Sequence, residues 1–147
     1  MQRPDPHSYY DSVQPRAKRL RLKLGVDFAA KRIDGEVTLE FGEAMSGVLD
    51  LDTKGLEIYG AQVPGQGQIP WELGEADVIL GRRLRLTVPP GTREVAIAYR
   101  TGADAMALQW LDPEQTEGKV APYLFSQCQQ IHARTMVPCQ DTPIARI

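Results

Sequence analysis

The 147-residue chain contains no asparagine, only two cysteines, and two histidines far apart in sequence, His7 and His132. Without asparagine there is no Asn-x-Ser/Thr acceptor for N-glycosylation. Two cysteines are too few for a disulfide scaffold at this length, so a reducing compartment that keeps both as thiols is expected. No apolar run approaches the roughly 18 residues that cross a bilayer as a helix, and the opening MQRPDPHSYY lacks the apolar segment of a signal peptide. A soluble, cytoplasmic protein with no membrane partner is the expectation. An excess of one charge is missing too. The 17 Lys and Arg against 19 Asp and Glu leave a net charge of −2, so no global field recruits nucleic acid.

What is present is alternation. In LRLKLGVDF, Leu20, Leu22 and Leu24 share one face while Arg21 and Lys23 share the other, the period-2 pattern of a half-buried strand. EVTLEF repeats it with Val37, Leu39 and Phe41, and Asp34-Gly35 between the two runs suits a hairpin turn. GVLDLDT, GLEIYGA, RRLRLTV and EVAIAYR continue the series, each bounded by Gly, Pro or Asp. The spacing, with no convincing amphipathic helix, predicts an all-β fold of antiparallel strands, a sandwich or a curved, saddle-like pair of sheets. The Gly- and Pro-rich stretch from Val63 to Glu75 reads as a connection, and Trp110 sits in an otherwise polar loop. Residues 1–12 read as a tail, leaving 13–147 as one domain.

The basic run RAKRLRLK is explained by the same alternation, with leucines inward and basic side chains paired to an acidic neighbour such as EVTLE. No aromatic residues interleave with it as single-strand nucleic-acid binders require. The densest chemistry lies in PYLFSQCQQIHARTMVPCQDTP, Pro122 to Pro143. Cys128, His132 and Cys139 supply three metal-ligating groups, but a structural zinc wants four and the spacing lacks paired C-x-x-C or H-x-x-x-H units. Cys128 with His132 as nucleophile and base is a second option, opposed by the tendency of free cysteine to serve as buried filler. Gln127 and Gln129, two apart in a run that reads as a strand, project from one face and offer amide carbonyls to a cation; the plainer option is that they hydrate a strand end. Arg134 and Asp141 flank Pro138-Cys139 and could pair across that turn.

The stretch ALQWLDPEQTEGKVAPYLFSQCQQIHARTMVPCQDTP, Ala107 to Pro143, resembles the N-terminal domain of zinc aminopeptidases of the leukotriene-A(4) hydrolase type. Its ending HARTMVPCQDTP is similar to the looser DAR and FPCFDEP pattern of the wider HExxH aminopeptidases, and GVDF and LDLDTKGLEI resemble the family's opening strands more weakly. The resemblance implies a saddle-shaped all-β domain packed on a catalytic domain that carries the zinc on an HExxH helix and a GxMEN loop. Neither motif occurs in this sequence. The expectation is a substrate-binding and scaffold domain of a zinc aminopeptidase that is not catalytic by itself, the zinc belonging to the absent domain. By the same resemblance Gln129 helps bind the substrate's α-ammonium, with Gln127 and the backbone of Cys128 lining the same edge, and the cysteines and His132 become structural. A free-standing β-sandwich interaction module is the alternative. As a domain parted from its catalytic partner, the isolated chain exposes an apolar face and is expected to self-associate, whereas the free-standing module is expected to be stable and monodisperse.

Overall fold

The computed structural model describes residues 3–147, and their regular structure is antiparallel strand apart from three short 3-10 turns. They are β1 (Ala17–Asp27), β2 (Arg32–Thr53), β3 (Glu57–Val63), β4 (Gly67–Gln68), β5 (Trp71–Leu73), β6 (Arg82–Arg100), β7 (Leu108–Leu111) and β8 (Tyr123–Ser126). One sheet runs β1-β2-β6-β3-β4, with β5 also paired to β6; β7 and β8 form a separate two-stranded ribbon.

The four short runs EVTLEF, GVLDLDT, RRLRLTV and EVAIAYR are halves of two long strands. Residues Asp34 to Glu40 of β2 pair with Arg100 to Glu94 of β6, and Gly47 to Thr53 pair with Val88 to Arg82. Register shifts around Met45 separate the halves, opposite the Pro89-Pro90-Gly91 bend. Irregularities of this kind bend a strand and add twist, which curves the sheet. The inward set packs as the alternation requires: Val37, Leu39, Leu49, Leu51, Leu84, Leu86, Val95 and Ile97 are fully buried in one cluster. Each contributes roughly 1.5–3 kcal/mol through burial.

Four sequence expectations are corrected. The β1–β2 hairpin turns at residues 28–31, with Lys31 at φ 51°; Asp34-Gly35 lies inside β2, where Gly35 faces Leu24 and Tyr99. Glycine is needed there because an added Cβ would sit 2.6 Å from the Tyr99 ring. Trp110 belongs to strand β7 and meets Phe28 edge-on at 5.7 Å, while the expected connection from Val63 to Glu75 contains β4 and β5. Leu22 and Leu24 do lie on the core side of β1, yet they are 44% and 40% exposed. β1 is an edge strand, and the described residues place no second layer over its outer end.

The fourth correction concerns the expected tail. Ser8 and Tyr10 are buried, and the arm from Asp5 to Gln14 packs over the end of β2. Gln14 Oε1 accepts from the Asp50 N–H at 3.2 Å, and the Tyr9 N–H donates to Asp52 at 2.7 Å. This covering explains why residues 49–53 are buried on both faces. Asp50 tolerates it through a two-point pair with Arg85, both bonds at 2.8 Å.

Candidate functional site

Downstream of β8 the chain leaves the ribbon. The run YLFSQCQ reads as strand, but pairing ends at Ser126, and Gln129 to His132 form a turn. The period-2 argument for Gln127 and Gln129 therefore lapses. Their relation is different: Gln127 Oε1 accepts a hydrogen bond from the Gln129 backbone N–H at 2.9 Å. That carbonyl is committed to shaping the turn, an interaction glutamine offers because its amide oxygen reaches a backbone donor two residues away. The Gln129 side chain is exposed, and its amide makes no hydrogen bond among the described residues. The Gln129–Gln130 peptide is cis.

The turn rims a cleft of about 400 Å³ whose wall is mainly apolar, formed by Leu20, Ala133, Val137, Pro143, Ala145 and Ile147. Polar amides at an apolar concave wall can orient a ligand while the wall supplies contact area. A larger cleft of about 620 Å³ opens between Lys54, Asp77 and Met106. It contains none of the sequence-selected residues, and its Asp77 carboxylate is occupied by the N–H groups of Ile79 and Leu80.

Just downstream of the turn the chain enters a buried ionic centre. Arg134 has 0% side-chain exposure, so every donor of its guanidinium must find a protein acceptor. Nε donates to Asp141 Oδ2 at 3.0 Å, Nη1 to the Leu80 carbonyl at 3.0 Å, and Nη2 to the carbonyls of His7 at 2.7 Å and Asp141 at 3.1 Å. Asp52, also fully buried, lies 3.8 Å from Nη1. Burial pushes the Asp52 carboxyl above its usual range, opposed by the Arg134 charge and by donors from Ser8, Tyr9 and Asp141. The expected Arg134–Asp141 pair therefore exists, but it is part of a larger centre that includes two residues sequence reasoning missed, Ser8 and Asp52. In GVLDLDT, Asp52 alternates with the inward Leu49 and Leu51, a pattern that by itself points it to the wet face. Only the arm and the returning segment at Cys139, whose backbone bonds to Asp52 at 2.8 Å, take it out of water.

The thiols are poor nucleophiles. Cys128 is half-buried and Cys139 buried, and burial raises both thiol pKa values, that of Cys139 well above its ordinary 9.0. His132 touches Cys128 through the backbone, its N–H donating to the Cys128 carbonyl at 2.9 Å. Among the described residues no three His, Cys, Asp or Glu side chains gather as a metal would require.

The family description "Peptidase M1 N-terminal domain" matches residues 6–146. The chain is 42% identical over 144 residues to leucine aminopeptidase 2 of Yarrowia lipolytica, covering 95% of this chain and 22% of that protein. It is 38% identical over 146 residues to leukotriene A-4 hydrolase of Xenopus laevis, covering 95% and 24%. Yeast LTA4 hydrolase in complex with bestatin superposes with a TM-score of 0.85 at 30% identity, over 95% of this chain and 23% of that one. An M1 zinc metallopeptidase of Deinococcus radiodurans bound to a Tyr-Ser-Ala substrate shares the fold, with a TM-score of 0.57 at 19% identity over 87% and 29%. The chain thus spans about a quarter of the length of the curated relatives.

Proposed function

Because the chain belongs to the Peptidase M1 N-terminal domain family, we propose that it is the non-catalytic first part of a zinc aminopeptidase that removes N-terminal residues from peptides. In this reading the Gln127–Gln129 edge recognises the substrate's free amino group. The observation that carries it is the division of labour between the glutamines: Gln127 holds the turn at 2.9 Å, and Gln129 keeps its amide free at the rim of an apolar cleft. A neutral carbonyl dipole attracts an ammonium without adding charge, and one carried on a turn that Gln127 shapes helps align the scissile bond. Cys128 contributes backbone to the same edge.

The zinc and the chemistry it supplies are assigned in this reading to the remainder of the enzyme, on the likeness to M1 zinc metallopeptidases. Peptide and catalytic part are the proposed partners. The face that meets the rest of the protein is the exposed apolar row of Leu22, Leu24, Val26 and Phe28 on β1 and its turn. Light scattering on the isolated chain is expected to show self-association that Leu24→Lys reduces; a strictly monomeric parent chain would contradict this. A cytoplasmic location fits the two unpaired thiols.

The test of the site uses the full-length enzyme. Gln129→Ala is expected to raise KM for peptides and lower kcat/KM with zinc content unchanged. An unchanged kcat/KM would remove Gln129 from the site. The absence of peptidase activity from the full-length protein would favour a non-catalytic interaction module.

A further inference from the structure

The residues that shape the Gln127–Gln130 turn are not confined to its own stretch of chain. From the turn, the His132 N–H reaches back to the Cys128 carbonyl at 2.9 Å, and Thr135 closes a single 3-10 turn on the His132 carbonyl, at 2.9 Å from its N–H and 2.7 Å from its hydroxyl. Arg134 lies in that turn. Its carbonyl accepts from the Lys54 N–H at 2.9 Å, which fixes the turn to the end of β2. The guanidinium, with no solvent exposure, then reaches the N-terminal arm at the His7 carbonyl, 2.7 Å away.

The arm returns the contact at three more points. Ser8, with 0% exposure, donates its hydroxyl to Asp52 Oδ2, and the Tyr9 N–H donates to Oδ1 of the same carboxylate at 2.7 Å. The Asp141 N–H also donates to Asp52 Oδ2, at 2.9 Å. Farther out, Thr142 donates its hydroxyl to Asp5 at 2.7 Å. Asp52 is therefore the shared acceptor that joins the arm to the segment carrying Arg134, although the partners lie more than 120 positions apart in sequence. A buried carboxylate of this kind is held in place only while its donors stay, because each lost donor leaves uncompensated charge.

We infer that the N-terminal arm is a clasp that sets the position of the Gln127–Gln130 turn, acting through Ser8, Asp52 and Arg134. Ser8 is a positioning residue for the substrate edge. The inference rests on the reading of that edge as the ammonium contact, but its mechanical part is independent of it. No arm residue lines the cleft, so the arm acts only through the buried centre.

The test is made in the full-length protein with Ser8→Ala, which removes the hydroxyl and keeps a small side chain. Amide exchange by mass spectrometry is expected to quicken roughly tenfold at Gln129 and His132, the scale of one lost bond to a charged group, while the central β2–β6 amides stay protected. KM for a free-amine peptide is expected to rise several-fold with kcat unchanged, and Ser8→Thr to restore both. Should Ser8→Ala fail to fold, Asp5→Ala loosens the same arm at its outer end and carries the same expectation. Unchanged exchange at Gln129 and His132, or equal loosening of the whole sheet, would overturn the clasp. If exchange quickens selectively while Gln129→Ala leaves kcat/KM intact, the clasp stands and the substrate-edge reading falls. If Gln129→Ala lowers kcat/KM but the arm variants leave exchange unchanged, the reading stands and the clasp falls.

Discussion

Arg134→Met is the most informative single perturbation of the fold. The substitution keeps much of the aliphatic volume but deletes four hydrogen bonds, to Asp141 Oδ2 and to the carbonyls of Leu80, His7 and Asp141. It also leaves Asp52, with 0% exposure, without the cation 3.8 Å away. Removing one partner of a buried ion pair costs about 3–5 kcal/mol, a large fraction of the ~5–15 kcal/mol that holds a domain together. Urea unfolding of the chain followed by far-UV circular dichroism measures the loss directly. Arg134→Lys keeps the charge but not the planar fork, so it is expected to fall between the two. The pH dependence gives an independent check. The Asp52 carboxyl is already raised in the folded state, and removing Arg134 raises it further. A carboxyl raised on folding contributes stability that is present below the unfolded value, about 3.9, and lost as pH climbs through the folded one. The deficit of Arg134→Met should therefore be smaller at pH 5 than at pH 8. A loss below about 1 kcal/mol, or a deficit that grows on acidification, would refute the reasoning.

Two further outcomes follow from the packing. Gly35→Ala places a Cβ 2.6 Å from the Tyr99 ring and should cost roughly 1–3 kcal/mol by overpacking, measured by the same urea titration; an unchanged midpoint would mean that the ring moves freely. Both thiols carry raised pKa values, so the thiolate fraction at pH 8 is below that of a free cysteine. Iodoacetamide should modify half-buried Cys128 slowly and buried Cys139 only after unfolding, read by mass spectrometry. Rapid double labelling of the native chain would contradict this.

Strand identity was legible because apolar and polar residues alternate along most of β1, β2, β3 and β6, interrupted at the register shifts around Met45 and Tyr59, and the inward sets did pack or line the core side. Connectivity was less so. Pro89-Pro90-Gly91 reads as a strand end, yet β6 continues through the bend because its partner β2 shifts register at the same place. Asp34-Gly35 reads as a turn by local preference, but Tyr99 needs the space above Gly35 and the reversal moves to residues 28–31. The polar opening of the chain reads as a tail because its anchors, Asp52 and Arg134, lie 43 or more positions downstream; no local pattern records such partners. In the candidate site, composition drew attention to the stretch that holds the turn, but period-2 spacing assigned Gln127 a free carbonyl that is in fact spent on the Gln129 backbone. The side chain that remains free could be identified only from the turn's own hydrogen bonds.

The central claim is that Gln129 reads the substrate's amino group. In the full-length enzyme the direct measurement is kcat/KM for a peptide and for its analogue lacking the α-amino group, each with the parent and with Gln129→Ala. A hydrogen bond to a charged group is worth about 1.5–3 kcal/mol, so the substitution should lower kcat/KM for the amine peptide by roughly 10- to 100-fold and leave the analogue nearly unchanged, shrinking the discrimination between them. Equal loss on both peptides, or no loss on either, would contradict it.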